Sequence, residues 1–291
     1  MSAGPVSSVQ SPLAMLCGGG TLPVAVAESV SGRGRPVVMF MLRGAAAASG
    51  AIERFPHHWL HIGQIGKFLR LARAAGCRDV VFIGSLVRPS IWRAHPDLTG
   101  LCMLPRVLAA YRGGDDHLLR GMSRLLEQEG LRLVGAHEVA PEILMPCGPL
   151  GSIEPTARDR DDIALGFDYL RAAGPFDVGQ AAVVANKHVL AVEAAEGTDQ
   201  MLARVAQLRA AGRIASPSGV GVLVKAPKPA QDRRFDLPSI GPQTVEEVKR
   251  AGLAGIAVTA GATVIAEPEK LVAAADGAAI FIAGIAAGNA K

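Results

Sequence analysis

Between Lys225 and Pro238 the chain reads Lys-Ala-Pro-Lys-Pro-Ala-Gln-Asp-Arg-Arg-Phe-Asp-Leu-Pro, a segment too proline-rich for an ordinary helix and dense in charge. The hard carboxylate oxygens of Asp232 and Asp236 suit Mg²⁺. Lys225, Lys228, Arg233 and Arg234 suit the oxygens of a polyphosphate, with the Gln231 amide among them. The same residue types also build a solvated, salt-bridged loop, and taken alone they leave both readings open.

Three further constellations carry candidate chemistry. In Gly18-Gly19-Gly20-Thr21-Leu22-Pro23, glycines before a helix let a ligand reach the backbone and place an anion at the helix N-terminus. The segment also reads as a tight strand-to-helix turn, since it lacks the G-x-G-x-x-G order and the Lys-Ser/Thr ending of a P-loop. Gly84-Ser85-Leu86-Val87-Arg88-Pro89 follows an expected strand, so Arg88 faces either a phosphate or a surface carboxylate. Glu193-Ala194-Ala195-Glu196-Gly197-Thr198-Asp199 is a strand-to-helix junction with three carboxylates and a hydroxyl. Acids gather at helix N-termini for electrostatic reasons alone, yet Glu193 ends a mostly apolar strand, where a carboxylate is costly unless paired or bound to metal. Asp115, Asp116 and His117 read as a helix N-terminus first and a metal site second, and His57, His58 and His61 as loop or interface residues.

The elements that must position these residues alternate. Strands are expected at 13–17, 37–42, 80–83 and 131–134, with helices at 22–30, 62–74, 97–111 and 116–129, the layout of a parallel sheet wrapped by helices. Proline and glycine then crowd 145–155, so the domain boundary is placed there: a loose tail at 1–12, an N-terminal domain at 13–148, a linker at 149–158 and a C-terminal domain at 159–291. The second domain is expected to hold a helix at 159–173, strands at 181–185 and 189–193 about an Asn186-Lys187 turn, and a helix at 199–211 capped by Thr198. A strand at 219–224 leads into the charged loop, followed by helices at 244–251 and 268–275 and strands at 254–258, 263–266 and 278–283.

A chain of 291 residues that is 49% apolar but only 4% aromatic must build its core from Ala, Val, Leu and Ile, as α/β folds do. The net charge of +4 suits an anionic ligand or membrane surface, whereas scattered cations with few interleaved aromatics argue against nucleic acid. Cys17, Cys77, Cys102 and Cys147 show no metal or disulfide spacing and read as reduced core residues of a cytosolic protein. No signal peptide or membrane-spanning run is expected, which leaves membrane contact peripheral.

As an ordered set, the segments at 18–23, 84–89, 193–199 and 225–238, with Asp177-Val-Gly-Gln180 and Ile240-Gly-Pro242, resemble the UDP-2,3-diacylglucosamine pyrophosphatases of lipid A biosynthesis, in the form unrelated to calcineurin-like phosphoesterases. The resemblance runs from about Leu13 to the C-terminus. It implies a Rossmann-like N-terminal domain, a family-specific α/β C-terminal domain, ligand bound between them, and a homodimer. It implies Mg²⁺-dependent hydrolysis of UDP-2,3-diacylglucosamine to 2,3-diacylglucosamine 1-phosphate and UMP, with water attacking the sugar-side phosphorus, at the inner face of the inner membrane.

By position in the motif, Asp232 and Asp236 become metal ligands or water-activating groups, and Lys225, Lys228 and Arg234 offset the pyrophosphate charge. Gly19, Gly20, Thr21, Gly84, Ser85, Leu86, Arg88, Gln180, Glu196, Thr198, Asp199 and Gln231 become substrate contacts. Ala230 departs from the motif, which commonly has glycine there. The rivals are a dinucleotide-dependent oxidoreductase or transferase, opposed by the incomplete glycine fingerprint, and a non-catalytic nucleotide-binding module, opposed by the density of carboxylates and cations.

Overall fold

The structure, a computed structural model, describes residues 10–46, 50–84, 95–103, 115–228, 232–234 and 237–286, with the side chains of 115–120 and 122 left out. The chain forms two compact units, 1–140 and 141–291.

The first unit carries five strands: β1 (Leu13–Cys17), β2 (Val37–Leu42), β3 (His57–Leu60), β4 (Asp79–Ile83) and β5 (Arg132–Leu133). They pair in parallel in the order β3-β2-β1-β4-β5. Continuous apolar runs such as Val-Val-Met-Phe-Met are buried almost throughout, as sheets covered on both faces require. Helices α1 (Leu22–Gly32), α2 (Ile65–Ala74), α3 (Asp115–Gln128) and the short α4 (Ala136–Val139) connect the strands. This is the Rossmann-like half expected from the alternation. His57 and His58 lie in edge strand β3 rather than in a loop, because their backbone pairs with Met39 and Phe40. The helix expected at 97–111 is seen at 98–103, and 104–111 lies outside the described residues.

The second unit is built on a mixed sheet in the order β6-β13-β11-β9-β7-β8, formed by β6 (Gly148–Pro149), β7 (Ala181–Ala185), β8 (His188–Val192), β9 (Val222–Lys225), β11 (Gly255–Thr259) and β13 (Phe281–Ile285). A separate parallel pair joins β10 (Ser239–Ile240) to β12 (Val264–Ile265). Helix α5 (Ala157–Ala173) covers one face, packing Ile163, Phe167 and Leu170 on Ala182, Val222 and Val224. Helices α6 (Gly197–Ala210), α7 (Pro242–Arg250) and α8 (Pro268–Ala278) cover the other, where Met201, Val205, Val248 and Leu271 meet Val183, Leu223 and Ile256. The Thr156 hydroxyl and Asp159 carboxylate close a capping box on α5, a device worth about 1 kcal/mol.

The division at 140/141 falls earlier than the proline-rich segment expected as a linker. That segment belongs to the second unit: Gly148 and Pro149 pair with β13, and the Ser152 amide donates to Asp276 at 2.8 Å. Proline and glycine here turn the chain along a sheet edge and supply β6 instead of separating bodies. Cys17 and Cys77 are buried as expected, but Cys102 and Cys147 are exposed.

Candidate active site

The expected strand 219–224 in fact runs from Val222 to Lys225. Gly219 and Gly221 take left-handed φ values of +81° and +108°, so the chain is still turning before Val222. Lys225 therefore ends β9 instead of opening the loop, and it is 8% exposed. Side chains alternate along a strand, and with Leu223 facing α6 and α7, Lys225 points to that same side. There its ammonium donates to the Thr198 hydroxyl at 3.1 Å and to the Ser239 carbonyl at 3.0 Å.

Pairing directions bring the other residues to the same edge. β7 runs antiparallel to β9 with Ala181 opposite Lys225, so Gln180 lies just outside the end of β9. β8 is antiparallel to β7 and delivers Glu193 there as well. The Gln180 amide donates to one Glu193 carboxylate oxygen at 2.8 Å, and the Thr198 hydroxyl donates to the other at 2.8 Å. Thr198 is thus not the helix cap expected from sequence. The helix starts one residue before it, and its hydroxyl turns back to Glu193.

Around this centre Lys228 donates to the Asp177 carboxylate at 2.6 Å, Arg204 pairs with Glu196 at 2.8 Å, and Gln243 donates to Asp199 at 3.2 Å. In the charged loop, Asp232 accepts from the Arg234 backbone at 3.0 Å and from its guanidinium at 2.7 Å. Arg233 donates to the Gly261 carbonyl, which ties this loop to the turn after β11. Gln231 and Asp236 lie outside the described residues.

In the first unit, β1 and β4 end side by side, where the parallel order changes direction and α/β folds commonly bind ligands. The Gly18 amide donates to the Ile83 carbonyl at 2.9 Å. Gly84 takes φ +94°, and a Cβ there would stand 2.6 Å from the Gly19 carbonyl oxygen. Only glycine lets the two loops approach this closely. Gly19 and Gly84 are therefore brought together, with Gly20 and Thr21 following Gly19 in the chain, while Ser85, Leu86 and Arg88 lie outside the described residues. At the ends of β2 and β3, burial together with the neighbouring His95, Arg43 and Lys67 side chains lowers the pKa of His61.

Comparison with known proteins matches the LpxI N-terminal domain over residues 12–143 and the LpxI C-terminal domain over 146–283. The chain belongs to the LpxI family. A UDP-2,3-diacylglucosamine pyrophosphatase LpxI from Caulobacter vibrioides is 43% identical over 273 residues, covering 94% of this chain and 97% of that protein. The two LpxI domain matches meet close to the structural division at 140/141.

Sequence reasoning missed the partners of one residue and the role of another. Glu193 was visible as a costly carboxylate at the end of an apolar strand, but its partners come from segments 5 and 13 residues away. Asp162, fully buried on α5, accepts from the amides of Asn186 and Lys187 at 3.0 and 2.6 Å and so clamps the expected turn. An acid within a charged helix gave no sequence signal of that role.

Proposed function

We propose that this protein hydrolyses the pyrophosphate of UDP-2,3-diacylglucosamine in lipid A biosynthesis. The observation that carries this reading is the 43% identity to a pyrophosphatase of that name across nearly the whole of both chains. The structure supports it with cations and carboxylates gathered at one sheet edge of the second unit. Water adds to the sugar-side phosphorus and the P–O–P bond breaks, giving 2,3-diacylglucosamine 1-phosphate and UMP. One of the loop carboxylates, Asp232 or Asp236, takes the water's proton.

Hydrolysis of a pyrophosphate is limited by charge repulsion, so the work lies in positioning and electrostatic stabilisation. Lys225, Lys228 and Arg234 supply positive charge to the phosphate oxygens. Arg234 and Asp232 retain 34% and 18% side-chain exposure, and a pair this accessible contributes about 1 kcal/mol or less. Arg234 can therefore exchange its carboxylate for phosphate at small cost.

Among the described residues, no group of three carboxylates, histidines or cysteines is placed to hold a metal. Mg²⁺, however, characteristically uses one or two carboxylates with water and phosphate oxygens, which the hard oxygens of Asp232 and Asp236 fit. Bound there, it would polarise a phosphoryl oxygen as a Lewis acid. The diacylated substrate and the net charge of +4 support peripheral contact with an anionic membrane surface at the cytoplasmic face. Among the described residues no helix is long and apolar enough to cross a membrane. A homodimer is part of the same reading.

The deciding experiment is phosphorus-31 spectroscopy of the purified protein with UDP-2,3-diacylglucosamine and Mg²⁺ in ¹⁸O-labelled water. Two monophosphate signals are expected, with the isotope shift on the lipid phosphate. An intact pyrophosphate would refute the activity, label on UMP would refute the attack site, and full turnover in EDTA would refute the metal.

A further inference from the structure

Lys225, Thr198 and Glu193 form a chain whose polarity is fixed by chemistry. An ammonium only donates and a carboxylate only accepts, so the single Thr198 proton faces Glu193 at 2.8 Å while an oxygen lone pair faces Lys225 at 3.1 Å. The other Glu193 oxygen is held by the Gln180 amide at 2.8 Å, so the carboxylate is fixed from both sides. The Gln180 carbonyl accepts from the Ala226 amide at 2.9 Å, which links the same strand end to the first residue after Lys225.

We propose that Glu193 is a positioning residue that, through the Thr198 hydroxyl, aims the Lys225 ammonium toward the substrate pyrophosphate. This rests on the reading that Lys225 supplies charge to that group. A lysine side chain has four rotatable bonds, and as a freely turning cation it would have to be ordered anew in each transition state. The relay, together with the Ser239 carbonyl at 3.0 Å, orders it in advance, and it places the Glu193 charge one hydroxyl away. Preorganised charge lowers a barrier because no reorganisation is needed when the reaction occurs.

The test compares Lys225→Met, Thr198→Val, Thr198→Ser and Glu193→Gln, with melting temperature followed beside kcat and KM on UDP-2,3-diacylglucosamine. Thr198→Val is expected to lower kcat about 10- to 100-fold with KM changed less than about threefold, since misplacing a working group costs up to about a hundredfold. Thr198→Ser keeps the hydroxyl and should return kcat to within about threefold of the parent. Glu193→Gln can satisfy only one of its two donors and should fall between them. The decisive measurement is the double variant, because Thr198→Val should cost almost nothing once Lys225 is Met. Equal cost in both backgrounds would overturn the relay, as would failure of serine to restore kcat. If Thr198→Val does not fold, Glu193→Gln in the two Lys225 backgrounds gives the same reading. Full turnover by Lys225→Met would instead refute the role of Lys225, and no hydrolysis by the parent would refute the proposed activity itself.

Discussion

Replacing Asp162 by alanine tests whether a clamp remote in sequence holds the turn of the β7–β8 hairpin, whose far end carries Gln180 and Glu193. Asp162 is fully buried, and its two oxygens accept from Asn186 and Lys187, the turn residues with φ +52° and +59°. Left-handed backbone at two successive non-glycine residues is unfavourable by itself, so the carboxylate offsets that strain. Two hydrogen bonds to a charged group contribute about 1.5–3 kcal/mol each. Against this stands the cost of burying the carboxylate, which the substitution relieves. Water can also reach the freed amides, since Asn186 and Lys187 are exposed. The expected net loss is about 2–4 kcal/mol, or a fall in melting temperature of about 4–16 °C at about 2–4 °C per kcal/mol for a domain of this size. Urea unfolding followed by circular dichroism measures it as a lower midpoint at unchanged slope. Because β7 and β8 carry Gln180 and Glu193 at their far ends, kcat should also fall below the melting transition. An unfolding free energy within about 0.5 kcal/mol of the parent's would refute the reasoning, for that is the range of a surface substitution.

Asp232→Ala and Asp236→Ala should each lower turnover about a hundredfold or more with melting temperature nearly unchanged; near-parental turnover, or loss only through unfolding, would remove these residues from the mechanism. Burial pushes the Cys17 thiol up to about 12, so native alkylation at pH 8 should label exposed Cys102 and Cys147 first and Cys17 last, as peptide mass spectrometry would read. At Asp79 burial acts to raise the pKa, but hydrogen bonds from Arg132 and Arg35 prevail and lower it. A carboxyl depressed on folding adds stability above its unfolded pKa and loses it as pH falls through the folded value. Asp79→Asn should therefore flatten the loss of stability below about pH 4, and an acid limb identical to the parent's would count against that role.

The sequence determined what depends on local pattern. Apolar runs of about five residues, separated by helical periodicity and glycine turns, specify buried parallel strands wherever they fold, so the Rossmann-like first unit was legible. The Asn186-Lys187 turn and the carboxylates and cations after β9 were legible too, because turn chemistry and charge density need no distant partner. Element ends were less so: Thr198 looks like a cap until the helix is seen to begin at Gly197, and Lys225 looks like a loop residue until β9 is seen to extend to it. Only the tertiary structure decided which charges meet. Lys225, Thr198, Glu193 and Gln180 converge because β7 runs against β9 and β8 against β7, which brings one end of each to a common edge. Strand order and direction are set by how whole faces bury against α5, α6 and α7, a sum over many side chains that no short segment encodes.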